Sequence, residues 1–383
     1  MRSTATLKQS YILLLINIAI SFISALFSLN EQIRFGVYAS YVALFVLIVN
    51  VYSVIFTIKK DVPANKYLKI FVVLIGFNTL AHILGSGIGV INISGLVQIL
   101  GPVVAYYVSL RFFSLPNQDS ENLLKGFIIL FIAFLIIFSF YRFTSYFFYL
   151  KVALQATYFI VFTLPILLLL RGKLLLKYVA VLLTVFACFV SFKRGTVISA
   201  VAIAVVFFLS NFFGKDTKVK IVNLLLLVAT LGVTYWYLSG ENSDIEYMML
   251  RISNMEEGDS SGRGDIYNLF IDQIKNFTIY EHLFGRGLKS TIFINNGLTA
   301  HSDWLEIYYD YGILVAFSWF LFIFGGIKRI FTSKTSSTVK TSIVCMMIAY
   351  ITTSNISHVF FFGYFYIFMI FLGYYNSNIN NRL

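Results

Sequence analysis

Long apolar stretches separated by short polar connections make up most of this 383-residue chain. A helix needs about 20 mainly apolar residues to cross a bilayer, because each residue advances it by about 1.5 Å. With that length the pattern predicts about twelve membrane-spanning helices, and helices satisfy their own backbone hydrogen bonds in lipid. The expected spans are 11–29, 37–58, 68–84, 93–113, 126–141, 152–170, 177–192, 196–213, 221–238, 311–330, 341–355 and 359–375. The expected fold class is an all-α polytopic integral membrane protein.

The overall composition agrees with this pattern. Hydrophobic residues make up 59% of the chain and charged residues only 12%, whereas soluble domains carry about 25% charged residues. No internal repeat and no linker rich in Gly, Ser or Pro divides the sequence. We therefore expect a single transmembrane domain over residues 1–383.

Basic residues are distributed unevenly between the connections. Nineteen of the 29 Lys and Arg residues fall in one alternate set of connections, together with only four acidic residues. Cytoplasmic loops collect Lys and Arg, so we expect both termini in the cytoplasm and the other connections outside. The net charge of +12 then records topology. We expect the lipid bilayer as a partner and no nucleic acid, whose binding would need a basic patch on a soluble face.

One polar segment, residues 239–310, interrupts the apolar pattern and is expected to form a large external loop. Connections of this length are uncommon and are usually functional or disordered. Within it, several residues recur near one face at helical spacing: Ile266, Leu269, Phe270, Gln273 and Ile274. This spacing predicts an amphipathic helix lying on the membrane. The alternative is a packed lid without chemistry.

Four basic residues on the external side are candidates for binding an anion. Arg263 and Arg286 lie in the loop, and Lys193 and Arg194 lie in the segment SFKRG between the seventh and eighth spans. A planar guanidinium suits the oxygens of a diphosphate. An anion beside Lys193 and Arg194 would also meet the N-terminus of the eighth span. The alternative is that the pair anchors the chain at the lipid headgroups.

The segment AHSDWLEIYYDYG, which begins at residue 300, carries the candidates for proton transfer. Asp303 and Glu306 fit a capping box, with Asp303 as N-cap and Glu306 at N3 of a helix that continues into the tenth span. His301 precedes that helix, and a neutral imidazole there could accept a proton from an attacking hydroxyl. We consider His301 and Glu306 the catalytic candidates, although the His could also serve only to tie the loop to the helix. We expect no metal and no cofactor.

Four segments together resemble the superfamily of O-antigen polymerases (Wzy) and O-antigen ligases, with the polymerase branch favoured. They are SFKRGTVISA, SGRGDIYNLF, LFGRGLKS and AHSDWLEIYYDYGIL, and they cover about residues 185–325. Three positions depart from the family pattern: Tyr267 stands where Trp is frequent, Lys193 where Ser is frequent, and Arg286 where the residue type varies.

The resemblance implies a GT-C-like fold in which Arg194 and Arg263 hold the diphosphate of a polyprenyl-linked glycan. Lys193 and Arg286 are further candidates for that contact, and His301 would assist the acceptor hydroxyl. The implied activity is a metal-independent glycosyl transfer that joins undecaprenyl-diphosphate-linked repeat units, donor and acceptor alike, into O-antigen or capsule at the outer face of the bacterial cytoplasmic membrane. A co-polymerase that sets chain length and a flippase are the implied protein partners.

Two alternative functions stay open from the sequence. An O-antigen ligase would use the same donor and transfer the glycan to lipid A core. A lipid-linked oligosaccharide flippase or other transporter would share the topology, but it would be expected to show repeated halves and functional charges near the midplane. The external loop holds most of the candidate residues named above, which favours a transferase.

Overall fold

A computed structural model describes most of the apolar segments of the chain and the second half of the polar segment 239–310. The described residues are 2–27, 48–49, 51–52, 66–86, 93–114, 120–144, 155–170, 172–191, 193–212, 217–239, 263–288, 290–294, 300, 302–332, 336–356 and 364–380. They form helices and turns, and this part of the chain contains no strand. The all-helical class is therefore confirmed for the described residues.

The helices follow the apolar pattern closely. In chain order they are α1 (Arg2–Phe27), α2 (Lys66–Ser86), α3 (Ile93–Ser114), α4 (Ser120–Thr144), α5 (Thr157–Leu167), α6 (Leu174–Val190), α7 (Arg194–Phe212), α8 (Thr217–Ser239), α9 (Arg263–Lys275), α10 (Ile279–Phe284), α11 (Ser290–Ile294), α12 (Asp303–Thr332), α13 (Ser337–Ile356) and α14 (Phe365–Asn380). The predicted span 37–58 lies almost entirely outside the described residues. Every other predicted span overlaps one of these helices.

Three stretches of the described helices are long and apolar enough to cross a membrane: Leu123–Thr144, Gly195–Phe212 and Asp303–Gly325. Shorter apolar stretches add Ser10–Leu26, Ile99–Ser114, Thr157–Leu167, Leu174–Val190 and Lys220–Ala229. These helices are consistent with a polytopic membrane protein. The count of twelve spans stays a prediction.

Helices α3 and α14 pack closely because small residues lie between them. A Cβ atom at Gly373 would come within 2.5 Å of the carbonyl oxygen of Tyr106. Ser109 Oγ donates to Ile370 O at 2.6 Å across the same contact. Small residues let helix backbones approach in membranes, where packing replaces the hydrophobic effect as the source of association.

An aromatic cluster joins α2, α12, α13 and α14 in the centre of the bundle. Trp319 packs on Phe71, with ring centroids 4.9 Å apart, and its Nε1 donates to Tyr350 Oη at 2.8 Å. Tyr350 stacks on Phe368 at 4.6 Å. The hydrogen bond between Trp319 and Tyr350 joins α12 to α13, and it satisfies the buried indole N–H.

Helices α7 and α13 run antiparallel and in contact. Ser199 bonds to Thr352, and Cys345 Sγ lies 3.9 Å from Ile203 O further along the pair. Both helices rise at about 1.5 Å per residue, so Arg194, five residues before Ser199, lies near the level of Ile356, the last residue of α13. The first turn of α7 thus lies at the C-terminal end of α13.

Candidate functional site

The C-terminal end of α13 brings together the beginnings of three helices that carry candidate residues. Tyr267 in the second turn of α9 donates to Asn355 O at 3.3 Å. Trp304 in the first turn of α12 donates through Nε1 to Ser354 Oγ at 3.2 Å. Together with the first turn of α7, this makes a site of three helix N-termini around residues 354–356. Helix N-termini attract anions through their free N–H groups and dipoles.

Helix α7 begins earlier than the sequence indicated. The carbonyl of Lys193 accepts from the N–H groups of Thr196 at 3.1 Å and Val197 at 3.2 Å, so Lys193 is the N-cap and Arg194 is the first helical residue. The predicted span began at residue 196. Starting the helix at Arg194 places this residue in the turn whose N–H groups have no acceptor within the helix.

The Lys193 ammonium group lies over an aromatic ring. Its Nζ is 5.7 Å from the centroid of Tyr158, a distance at which a cation is attracted to the ring face. Tyr158 in turn packs on Tyr364 at 5.2 Å, and both tyrosines are fully buried. The half-buried Lys193 thus contributes positive charge beside the beginning of α7, with an aromatic wall behind it.

A buried arginine supports the SFKRG turn from the side of α4. Arg142 is fully buried, and its Nε donates to the carbonyl of Val190 at 2.9 Å. Val190 is the last residue of α6, where carbonyl groups lack helical partners. Thr157 Oγ1 contacts Ser191 Oγ at 3.3 Å and Thr196 Oγ1 at 3.2 Å. No signal in the sequence connects Arg142 with this turn. An ionisable side chain within an apolar span is costly and is usually functional.

Helix α12 begins in a different register from the predicted capping box. Glu306 N donates to Ser302 O at 3.0 Å, so Ser302 is the N-cap, Asp303 is the first helical residue and Glu306 is the fourth. The assignment of Asp303 as N-cap is therefore wrong by one residue. A capping box is present instead at α10, where Thr278 Oγ1 accepts from Glu281 N and Glu281 accepts from Thr278 N.

The acidic side chains at the start of α12 are buried in the bundle. Asp303 and Glu306 are both almost fully enclosed. Asp303 lies within electrostatic range of Tyr350 and Tyr364, and Glu306 lies within range of Tyr311. Lys193, Tyr158 and Tyr364 are linked by neighbouring contacts at the start of α7, and Asp303 at the start of α12 lies near Tyr364. Tyr158 and Tyr364 could not be identified from sequence, because they lie in uniformly apolar spans.

Helix α9 confirms the predicted helix but uses its apolar face differently. Phe270 is fully buried and packs on Tyr309 of α12 at 5.1 Å. Ile266 and Ile274 pack against the same cluster. Leu269, which the spacing assigned to this face, is 36% exposed. The face therefore docks on the first turns of α12.

Arg286 joins three elements of the loop. Its Nε donates to Glu281 Oε1 at 2.9 Å, and its Nη1 donates to Gln273 Oε1 at 3.0 Å and to Tyr309 Oη at 2.9 Å. The guanidinium carbon also lies 4.7 Å from the centroid of Phe277. Burial lowers the pKa of Arg286, but the bonds from Glu281 and Tyr309 outweigh it and raise the pKa above its usual value. The charge of Arg286 is thus balanced within the protein.

Two glycines lock the loop to α12 through their backbones. A Cβ atom at Gly285 would lie 2.4 Å from the carbonyl of Asp310, and one at Gly312 would lie 2.4 Å from the carbonyl of Leu283. Both have positive φ, 72° and 76°. Across the contact, Arg286 N donates to Tyr309 O at 3.0 Å and Gly287 N donates to Asp310 O at 2.7 Å. This contact, which we call the glycine lock, fixes the turn that carries Arg286.

The predicted site residues therefore divide into two groups. The helix positions of Arg194 and Arg263, with Lys193 and Glu306, belong to elements that meet at the C-terminal end of α13. Arg286 instead belongs to the glycine lock, where it bonds to Tyr309. The side chains of Arg194 and Arg263, and the whole of His301, lie outside the described residues. The structure describes both chain neighbours of His301. Ala300 is buried in the cluster of Phe270, and Ser302 is the N-cap of α12.

The described residues include no group of three or more His, Cys, Asp and Glu side chains that could hold a metal ion. Both cysteines of the chain, Cys188 and Cys345, are buried and form no disulfide, so they add no candidate to the site. The expectation of a transfer without metal or cofactor stays a prediction.

A family model described as O-antigen ligase matches residues 179–320. The match extends from the second turn of α6 into α12 and contains the beginnings of α7, α9 and α12. No curated protein matches the chain. The matched region agrees with residues 185–325, where the four sequence segments indicated the resemblance. Residues 179–320 thus match the O-antigen ligase family, and over these residues the match supports the predicted resemblance to the superfamily of O-antigen ligases and polymerases.

Proposed function

We propose that this protein is a polysaccharide polymerase that joins undecaprenyl-diphosphate-linked oligosaccharides at the outer face of the bacterial cytoplasmic membrane. It would transfer the growing glycan from one lipid diphosphate to the non-reducing end of the next lipid-linked repeat unit. The family match supports a function of the O-antigen ligase or polymerase type. The donor, the acceptor and the orientation are the parts that we add.

The observation that carries the proposal is the convergence of the N-termini of α7, α9 and α12 at the C-terminal end of α13. Transfer from a lipid diphosphate requires stabilisation of negative charge on the leaving group. Arg194 and Arg263 are the first residues of α7 and α9, so a diphosphate bound between them would meet two cationic residues and two helix N-termini. Lys193, over Tyr158, would add a third positive charge at one edge.

The reaction also needs a base for the acceptor hydroxyl. We propose His301 for this role, since it directly precedes Ser302, the N-cap of α12, and directly follows Ala300, which is buried in the cluster of Phe270. Glu306 is the second candidate, and its enclosure at the start of α12 suits a group that holds or orients rather than one that exchanges protons with solvent. Arg286 would act at a distance, by holding the loop in place.

The test is a polymerisation assay with purified protein and a synthetic lipid-diphosphate-linked repeat unit from its own host, with products resolved on a gel. A ladder of multiples of the repeat unit is the result expected of a polymerase. Transfer that appears only when lipid A core is added would instead assign the protein as a ligase, the function named by the matching family model. Absence of transfer with either acceptor would refute the proposal.

Variants connect the assay to the site. We expect Arg194→Ala, Arg263→Ala and His301→Ala to abolish the ladder while membrane abundance stays unchanged, and Lys193→Ala to have a smaller effect. Lys275→Ala is the matched control, because this exposed residue of α9 pairs, among the described residues, only within its own helix, with Asp272 at 2.7 Å. A normal ladder from His301→Ala would remove the base assignment without affecting the diphosphate site.

A further inference from the structure

Helix α10 presents its polar side chains to the protein and its apolar side chains outward. Glu281 pairs with Arg286, and His282 Nδ1 lies 2.6 Å from Tyr308 Oη. By contrast, Ile279 is 81% exposed and Tyr280 is 56% exposed, with Leu283 exposed beside them. A loop helix facing water would show the opposite arrangement, because burying its apolar side chains would be favourable.

The exposed face of α10 continues an apolar surface of α2. Asn78 of α2 donates through Nδ2 to the carbonyl of Phe284, and the ring of Phe77 lies 6.0 Å from that of Phe284. Helix α2 exposes apolar side chains in one stripe at helical spacing: Ile70, Val73, Phe77 and Leu80. In a membrane-spanning helix such a stripe faces the lipid acyl chains. The end of α10 is therefore fixed against a lipid-facing surface.

A second lipid-facing stripe begins at the glycine lock. Directly after Gly312, helix α12 exposes Ile313, Leu314, Phe317 and Phe320. From Gly312 to Lys328, which is expected in the cytoplasm, the helix rises about 24 Å at about 1.5 Å per residue. This is within the roughly 30 Å thickness of a hydrocarbon core. The glycine lock, and α10 with it, thus lies at the depth of the outer leaflet.

The backbone of this segment is suited to that depth. Irregular backbone is tolerated within a membrane only where its polar groups are satisfied by the protein. The capping box supplies acceptors at the start of α10, and Arg286 N and Gly287 N after its end donate to carbonyl groups of α12. The exposed tyrosine also fits, because Tyr is enriched at the boundary between lipid and water.

From these observations we infer that α10 is seated in the outer leaflet of the bilayer, with Ile279, Tyr280 and Leu283 in contact with lipid. Helix α9, which the sequence suggested for this role, instead docks on α12 through Phe270. The inference depends on the external placement of the loop and not on the glycosyl transfer. Its consequence is that the outer loop is held at a fixed depth, close to where the diphosphate of a lipid-linked molecule lies.

The experiment places a fluorescent nitrobenzoxadiazole label on single cysteines at Ile279 and, in a second variant, at Tyr280. Both native cysteines are buried, so the wild-type chain is the control for background labelling. The labelled proteins are reconstituted in vesicles of phosphatidylcholine and phosphatidylglycerol. Phe317→Cys on α12 gives the reference for lipid, and Asn268→Cys on the exposed side of α9 gives the reference for water.

We expect lipids that carry a nitroxide on the acyl chain to quench the labels at positions 279 and 280 as strongly as the label at 317. Aqueous iodide should quench both several-fold less than it quenches the label at 268. Strong iodide quenching at both positions would place α10 in water and overturn the inference. Protection from both quenchers would mean that protein covers the helix, which would also overturn it, and dilution to one molecule per vesicle would then test for a second copy.

Discussion

At the scale of single residues, Arg286 is the candidate whose surroundings differ most from its expected role. It bonds to Glu281, Gln273 and Tyr309 and is 29% exposed at the side chain. A guanidinium already bonded to a carboxylate gains less from a diphosphate than one without such a partner, since its charge is partly compensated. We therefore interpret Arg286 as a residue that positions the loop.

Replacing Arg286 tests this interpretation. Arg286→Ala should destabilise the loop by about 1.5 kcal/mol, the lower end of the range for bonds to charged groups, because the pair is partly exposed to solvent. The measurement is the rate of limited proteolysis within residues 263–288, with Lys275→Ala as the control. If Arg286→Ala leaves the protease pattern unchanged but abolishes transfer, the residue binds substrate after all.

The carboxyl of Glu281 gives the loop a predictable pH dependence. The backbone bond from Thr278 lowers its pKa against the opposing effect of burial, and the bonds from the Thr278 hydroxyl and from Arg286 lower it further. A depressed pKa means that the unfolded loop binds more protons in the acid range, so stability rises with pH there. The contribution is complete above about pH 4.3, the ordinary pKa of Glu, and is lost as the pH falls through the lower folded value.

We expect the amides of α10 to lose protection from hydrogen exchange below about pH 4.3, the ordinary pKa of Glu, after correction for the intrinsic exchange rate. Glu281→Gln is the matched variant, because Gln also occurs at this position of a capping box but does not titrate. The variant should show weaker protection at neutral pH and a flatter pH profile. An identical profile in both proteins would mean that another group controls the loop.

At the scale of elements, the glycine lock is the contact whose loss should have the largest effect on the loop. Gly285→Ala or Gly312→Ala would put a Cβ atom 2.4 Å from backbone atoms of the facing element. Each would also require a positive φ with ψ near 180°, which costs about 1–3 kcal/mol for a residue with a side chain. The backbone on either side cannot yield without breaking the bonds from Arg286 N and Gly287 N. We expect lower thermal stability in detergent and faster proteolysis of the loop.

Two other glycines serve as matched controls for that prediction. A Cβ atom at Gly76 in α2 or at Gly126 in α4 would meet no atom within 4 Å. Ala at these helical positions should leave stability unchanged or raise it by up to about 1 kcal/mol. If Gly312→Ala behaves like Gly76→Ala in the thermal assay, the close contact described above does not exist in the protein.

The helices also show which features of the fold could be predicted from the sequence. The apolar lengths predicted the spans, and helical spacing predicted α9, since both depend on neighbouring residues alone. The start of α7 at Arg194 and the N-cap at Ser302 were missed, because each is set by hydrogen bonds of the turn before the helix. The burial of Phe270 against Tyr309 and the exposure of Leu269 depend on a partner helix about 40 residues away. Spacing along one helix cannot reveal that partner.

The candidate site shows the same limit for single residues. The segments around Arg194, Arg263 and His301 could be recognised because their residue types repeat a family pattern in order. Arg142, Tyr158 and Tyr364 could not, because they join the site through contacts with Val190, Lys193 and one another. In apolar spans a tyrosine or a single arginine carries no local signal of its partner.

At the scale of the whole molecule, the proposed chemistry depends on the orientation of the chain in the membrane. Nineteen of the 29 basic residues lie in the connections assigned to the cytoplasm, and such an excess sets orientation in most membrane proteins. With that orientation the C-terminal end of α13 faces a compartment without nucleotide sugars, where a lipid diphosphate is the available activated donor. The reverse orientation would remove this reason for a lipid-linked donor.

Cysteine labelling in spheroplasts tests the orientation directly. Asn268 in α9 and Lys173 before α6 are both exposed, and both native cysteines are buried, so labelling should report only the introduced residue. A membrane-impermeant maleimide should label Asn268→Cys in intact spheroplasts, whereas Lys173→Cys should react only after the membrane is permeabilised. The opposite result would place the three helix N-termini on the cytoplasmic side. Transfer from a lipid diphosphate at the outer face would then be excluded, even though the family match would stand.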